Sequence, residues 1–209
     1  MDNNYIFQYW EAIQDGTVTV GKWIKTIYEI LVNGLKSGKW DFDEEKANKA
    51  INFIENFCHH SEGRNDLLKL ELWQKAIVSA IFGIMDKRTG YRQFREVFIV
   101  VARKNGKTLF AAAIAAYMAY IDGEYGAKVY FLAPKLDQAD LVYDAFYQIV
   151  QADDELDSIT KKRRSDIYIK EFNTSVKKIA FNSKKSDGFN PQMVVNDEME
   201  AWQGDQGLK

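Results

Sequence analysis

The residues of this chain best suited to chemistry fall in two short runs, far apart in sequence. The first is Arg103-Lys104-Asn105-Gly106-Lys107-Thr108. Backbone N–H groups of such a turn curl around the β- and γ-phosphates of a nucleotide at the positive end of the following helix. Gly106 lets the main chain come close, Lys107 supplies a point charge, and the Thr108 hydroxyl is suited to ligating Mg²⁺. The second run is Asn196-Asp197-Glu198, two adjacent acids at the end of the apolar stretch Met193-Val194-Val195. The first acid would hold a hydrated Mg²⁺ and the second would polarise the water that attacks the γ-phosphate. Adjacent residues on a strand point to opposite faces, so both acids serve one site only if the strand ends there and the chain turns.

These groups need a scaffold of strands leading into helices. Val97 to Ala102 is β-branched and apolar, which predicts a strand, and Leu109 to Tyr120 is alanine-rich, as in a buried helix. The pattern departs from G-x-x-x-x-G-K-[ST] at its first position, where Val101 stands. Lys128–Ala133 predicts a second buried strand, ended by Pro134. A helix follows from Gln138-Ala139, with Leu141, Val142, Ala145, Phe146 and Ile149 on one face. This βαβα order implies an α/β fold with a mainly parallel sheet flanked by helices. Ile167 to Phe172 and Val176 to Phe181 alternate apolar and polar around Asn173-Thr174-Ser175, as a hairpin or two edge strands would.

The 209 residues suffice for one such domain plus an appendage, and that appendage is N-terminal. Residues 1–65 read as helices. Tyr5, Ile6, Tyr9, Trp10 and Ile13 recur at helical spacing until Asp15-Gly16; Val20, Trp23, Ile24, Ile27, Ile30 and Leu31 do so until Asn33-Gly34. A third helix starts near Asp43, which would cap it. Cys58-His59-His60 has no second Cys/His cluster to make a metal site and reads as a helix terminus. Gln74, after Leu72-Trp73, reads either as a solvated residue at a helix start or as a contact for the N6/N7 edge of adenine.

Net charge is −2 and the pI about 5.8, so any nucleic-acid contact must be local. Between Lys161 and Lys185 nine Lys/Arg stand against Asp166 and Glu171, either a solvated edge or a footprint for DNA phosphates. A single cysteine excludes an intrachain disulfide framework and fits a reducing compartment, and no apolar run reaches membrane-spanning length. A soluble, intracellular protein is expected.

Together these residues resemble the ATPase half of the large terminase subunit of tailed bacteriophages. The resemblance rests on Asp15-Gly16, Gly21-Lys22-Trp23, Leu72-Trp73-Gln74, the loop Ala102 to Thr108, Ala133 to Ala139 (APKLDQA), Ser186 to Pro191, Asp197-Glu198 and Ala201-Trp202. Arg103 inside the loop and the missing first glycine are features of that family. The resemblance implies a P-loop NTPase of the ASCE type, with residues 1–65 as a helical lid subdomain and 66–209 as the ATPase core. It implies ATP and Mg²⁺ as cofactors. Glu198, Lys107 and Arg103 would be catalytic; Gln74 and Arg103 to Thr108 would bind nucleotide; Thr108 and Asp197 would hold the metal. Expected partners are double-stranded viral DNA, the portal protein, the small terminase subunit and, in a full-length ring on the portal, further copies of the chain, all in the bacterial host cytoplasm. Arg163 or Arg164 would be candidates for an arginine reaching a neighbour's site. In the family a nuclease domain and the last ATPase strands normally follow; the resemblance implies that they are absent here, as in an expression fragment or a truncated gene, so this length is expected to be a nearly inactive monomer. Two other readings stay open: a helicase-like or restriction-type ATPase, and a catalytically silent prophage remnant.

Overall fold

The computed structural model describes residues 4–60, 63–133, 136–180 and 190–197. They form two compact units. One comprises residues 1–55 and 69–100, the other 56–68 and 101–209.

The first unit is a helical cluster. Helix α1 (Tyr5–Gln14) starts at Asn4, whose side chain accepts from the Ile6 and Phe7 amides. With α2 (Lys22–Lys36) and α4 (Leu72–Gly83) it encloses Ile6, Tyr9, Ile13, Tyr28, Leu31, Val32 and Trp40. Between them run β1 (Asp41–Phe42) and α3 (Glu44–Phe57), and Asp43 caps α3 through the Lys46 amide at 3.0 Å. Strand β2 (Ile84–Met85) pairs antiparallel with β1. The boundary differs from a break near residue 65, because α4 packs with the N-terminal helices.

Two local expectations fail in α2 for identifiable reasons. The helix buries Tyr28, Leu31 and Val32, whereas Trp23, Ile24, Ile27 and Ile30 are exposed, Trp23 at 71 %. Periodicity therefore identified the helix and buried Leu31, but placed Trp23, Ile24, Ile27 and Ile30 on the covered side although they are exposed. The helix also runs through Asn33-Gly34, since Trp40 lies against the Gly34 backbone, where a Cβ would overlap the ring. Gly34→Ala is a direct test: propensity alone would add about 1 kcal/mol of stability, but Trp40 is buried and edge-packed on Phe94 at 5.5 Å. We expect a net loss of about 1–2 kcal/mol, read as a lower urea midpoint.

The second unit contains the sheet β4-β5-β6-β3-β7, made of β3 (Lys128–Ala133), β4 (Thr160–Lys162), β5 (Ile167–Ile169), β6 (Thr174–Ala180) and β7 (Met193–Asn196). Strand β3 pairs parallel with β6 and β7, while β4–β5 and β5–β6 are antiparallel. The sheet is mixed rather than mainly parallel, because the expected hairpin around Asn173 joins it and β4 extends that hairpin. Helices α5 (Lys107–Tyr120), α6 (Leu136–Ala152) and α7 (Asp154–Ile159) complete the unit. The face bearing Phe131 packs on α6 through Tyr143 and Phe146, and Tyr120 of α5 stacks on Phe146. Leu141, expected on the inner face of α6, is exposed.

The expected strand Val97–Ala102 does not form. It joins no strand among the described residues, and Phe98 and Val100 are 80 % and 93 % exposed. β-propensity expresses itself only where a neighbouring strand completes the backbone hydrogen bonds.

Candidate functional site

The turn before α5 is built by its own side chains. Lys104 and Gly106 have left-handed backbones, φ 68° and 69°. That conformation costs glycine little and lysine about 1 kcal/mol or more. Asn105 stabilises the turn by donating its side-chain amide to the Ala102 and Arg103 carbonyls at 3.1 and 3.3 Å. Asn105 thus shapes the loop with its side chain. Gly106 is the N-cap of α5 and offers no side-chain cap. The first amides of a fourteen-residue helix are therefore left for an external acceptor. Residues 102–106 are exposed, and Lys107 and Thr108 are half-buried in the first turn.

Asp197 meets this turn from the other run. Strand β7 ends at Asn196, in register with Leu132 of β3, so Asp197 stands just past the C-terminal ends of two parallel strands, where α/β sheets bind ligands. Its Oδ1 accepts from Lys107 Nζ at 3.1 Å. The structure thus brings together two of the sequence-selected residues. Glu198 lies outside the described residues.

Gln74 belongs to the helical unit and is buried rather than solvated. Its Oε1 accepts from the Glu71 amide at 2.9 Å, while the Glu71 side chain caps α4 in return, a reciprocal capping box. Capping accounts for the acceptor half of its carboxamide.

Cys58 is fully buried, and burial, with Asp153 nearby, pushes its thiol up. His59 Nδ1 contacts the Asn65 carbonyl and His60 Nε2 contacts Arg64, so both rings are tied into their own loop. Among the described residues no group of His, Cys, Asp and Glu is arranged to hold a metal by itself. A cation at the phosphate turn would need oxygens of the nucleotide as well as Thr108 and Asp197, and a hydroxyl with a carboxylate suits Mg²⁺.

The basic hairpin is partly spoken for. Arg163 donates two 2.6 Å hydrogen bonds to buried Asp166 and lies over the Tyr168 ring, which ties it to its own hairpin. Lys162 lies over Tyr147, and Lys178 pairs with Asp140. Lys161 and Arg164 are exposed and join no ion pair among the described residues. Lys184 and Lys185 lie outside the described residues.

A lysine-bearing turn at an uncapped helix, facing a carboxylate past parallel strands in an α/β unit, defines a P-loop NTPase. A family model described as the terminase large subunit ATPase domain matches residues 72–209, and the chain belongs to that family. Among solved structures, the crystal structure of the HK97 bacteriophage large terminase is similar, with TM-score 0.61 and 23 % identity. The match covers 72 % of this chain and 30 % of that one, so this chain spans under a third of that terminase's length. At that identity the likeness speaks for the fold. Comparison with curated proteins gives no match. Among the described residues no helix is long and apolar enough to cross a membrane.

Proposed function

We propose that this chain is the nucleotide-hydrolysing part of a DNA-packaging motor, working in the cytoplasm of a phage-infected bacterium. The single observation behind it is the approach of Lys107 to Asp197 at the mouth of the parallel strands. In this reading Lys107, the amides that open α5 and Arg103 would bind and orient a triphosphate. Thr108 and Asp197 would hold Mg²⁺, which supplies charge neutralisation on the β- and γ-oxygens. Glu198 follows Asp197 directly and would take the proton of the attacking water. The Gln74 amide nitrogen is the group left for adenine in this reading. Portal protein, small terminase subunit and further copies of the chain are the proposed partners, with Arg164 rather than Arg163 as the candidate arginine for a neighbour's site.

Double-stranded DNA is the proposed polymer, and the β4–β5 hairpin the proposed contact. The test is duplex binding by fluorescence anisotropy across a salt series. Replacing Lys161 and Arg164 together by alanine should weaken binding about tenfold and flatten the log–log salt slope by about two. A slope that stays the same would move the contact elsewhere.

A further inference from the structure

We propose that the outward side of α2 is a two-fold docking surface, which pairs antiparallel with the same helix of a second copy of this chain. The helix buries Tyr28, Leu31 and Val32 within its own unit, so its core-facing side is already used. A second apolar stripe stands outside that core. Trp23, Ile27 and Ile30, spaced four and three apart along one face, are 71 %, 50 % and 54 % exposed, and Ile24 beside them is 38 % exposed. Four large apolar side chains together make a patch of roughly 400 Å², a size that marks an interaction site rather than scattered surface. Charge selects the occupant and its direction. Lys22 and Glu29 are exposed, lie two turns apart on one edge of the stripe, and join no ion pair among the described residues. The Lys22 ammonium stands 4.9 Å from the centre of the Trp23 ring, so its charge sits at the stripe itself. Antiparallel pairing about an axis between Trp23 and Ile27 sets Lys22 against Glu29 of the second copy, and Glu29 against its Lys22. The same register lays Trp23 over Ile27 of the second copy, and the reverse. Parallel pairing would set lysine on lysine and glutamate on glutamate. The face is thus complementary to itself, as a two-fold contact requires, and the pair closes at two copies, whereas a ring is built from unlike faces. The two stripes bury about 800 Å² between them, below the roughly 1,200 Å² of a standard interface, so the dimer is weak, with a Kd on the order of 10 μM. A weakly held pair thus replaces the monomer expected at this length.

Sedimentation equilibrium of the 209-residue chain, from about 1 to 200 μM, is the test. The unmodified chain should pass from monomer to dimer across that range and stop at two copies. Ile27→Glu should abolish the dimer, and Trp23→Gln repeats the measurement should that variant fold poorly. Lys22→Glu or Glu29→Lys alone should weaken pairing about tenfold, because each sets like charges together twice, and the two combined should restore it. A monomer throughout, or a dimer indifferent to Ile27→Glu and Trp23→Gln, would overturn the proposal. So would failure of the charge exchange to restore pairing, and so would oligomers growing past two copies, which would seat α2 on an unlike face. A chain that stays monomeric but co-sediments with phosphatidylserine vesicles would overturn it in favour of a lipid surface.

Discussion

Lys107→Ala should lower affinity for Mg-ATP about a hundredfold, the scale of one or two lost charge-assisted hydrogen bonds. Lys107 is the cation of the turn that sits in the first turn of α5 and meets Asp197, whereas Arg103 and Lys104 are exposed. The substitution has a second effect, since it leaves Asp197 without the ammonium at 3.1 Å. Lys107→Ala combined with Asp197→Asn separates the two: the double variant no longer carries the carboxylate that faced the ammonium and should still fail to bind nucleotide tightly. Calorimetry for affinity and thermal unfolding for stability give the answer together. Full affinity in Lys107→Ala would end the assignment of this turn to phosphate.

Glu198→Gln should cut ATP turnover by about 10²–10⁴ in an active chain carrying it, with nucleotide affinity kept. The carboxamide preserves size and one acceptor oxygen but cannot take a proton. Asp197 is anchored toward Lys107 past the end of β7, so the next residue is where a base for the attacking water would follow. Single-turnover hydrolysis at saturating nucleotide is the measurement, because it separates the chemical step from binding and release. Turnover that survives unchanged would place the base on another residue.

The two runs that meet through Lys107 and Asp197 were legible because their signals are local. The turn Arg103 to Thr108 announces itself by residue type, and Asp197 by its place after an apolar run. Asp43 and the Asn173 hairpin were legible for the same reason, as cap and turn preferences act within a few residues. Long-range packing decided what was not legible. Trp40 makes Gly34 a contact point inside a helix, and Trp23, Ile24, Ile27 and Ile30 lie on the open side of α2. Gln74 shows a different limit: the same carboxamide suits a capping box and a base edge, and residue type cannot separate them. Asp166 gave no signal, although it fixes Arg163, because its role depends on being buried beside the hairpin it closes.

The open stretch ahead of the phosphate turn bears on solubility. Val97-Phe98-Ile99-Val100-Val101-Ala102 has high β-propensity, no charge and no proline, and its first four residues are exposed. Such a window favours intermolecular strand stacking. It is bracketed by Arg95 and Glu96 on one side and by Arg103 and Lys104 on the other, in the positions of gatekeeper charges that oppose self-association. We expect the rim cations Arg103 and Lys104 also to oppose self-association of this stretch. An alanine substitution at Arg103 or Lys104 would act on the soluble fraction as well as on nucleotide, and loss of binding in such a variant has meaning only alongside its concentration-dependent turbidity.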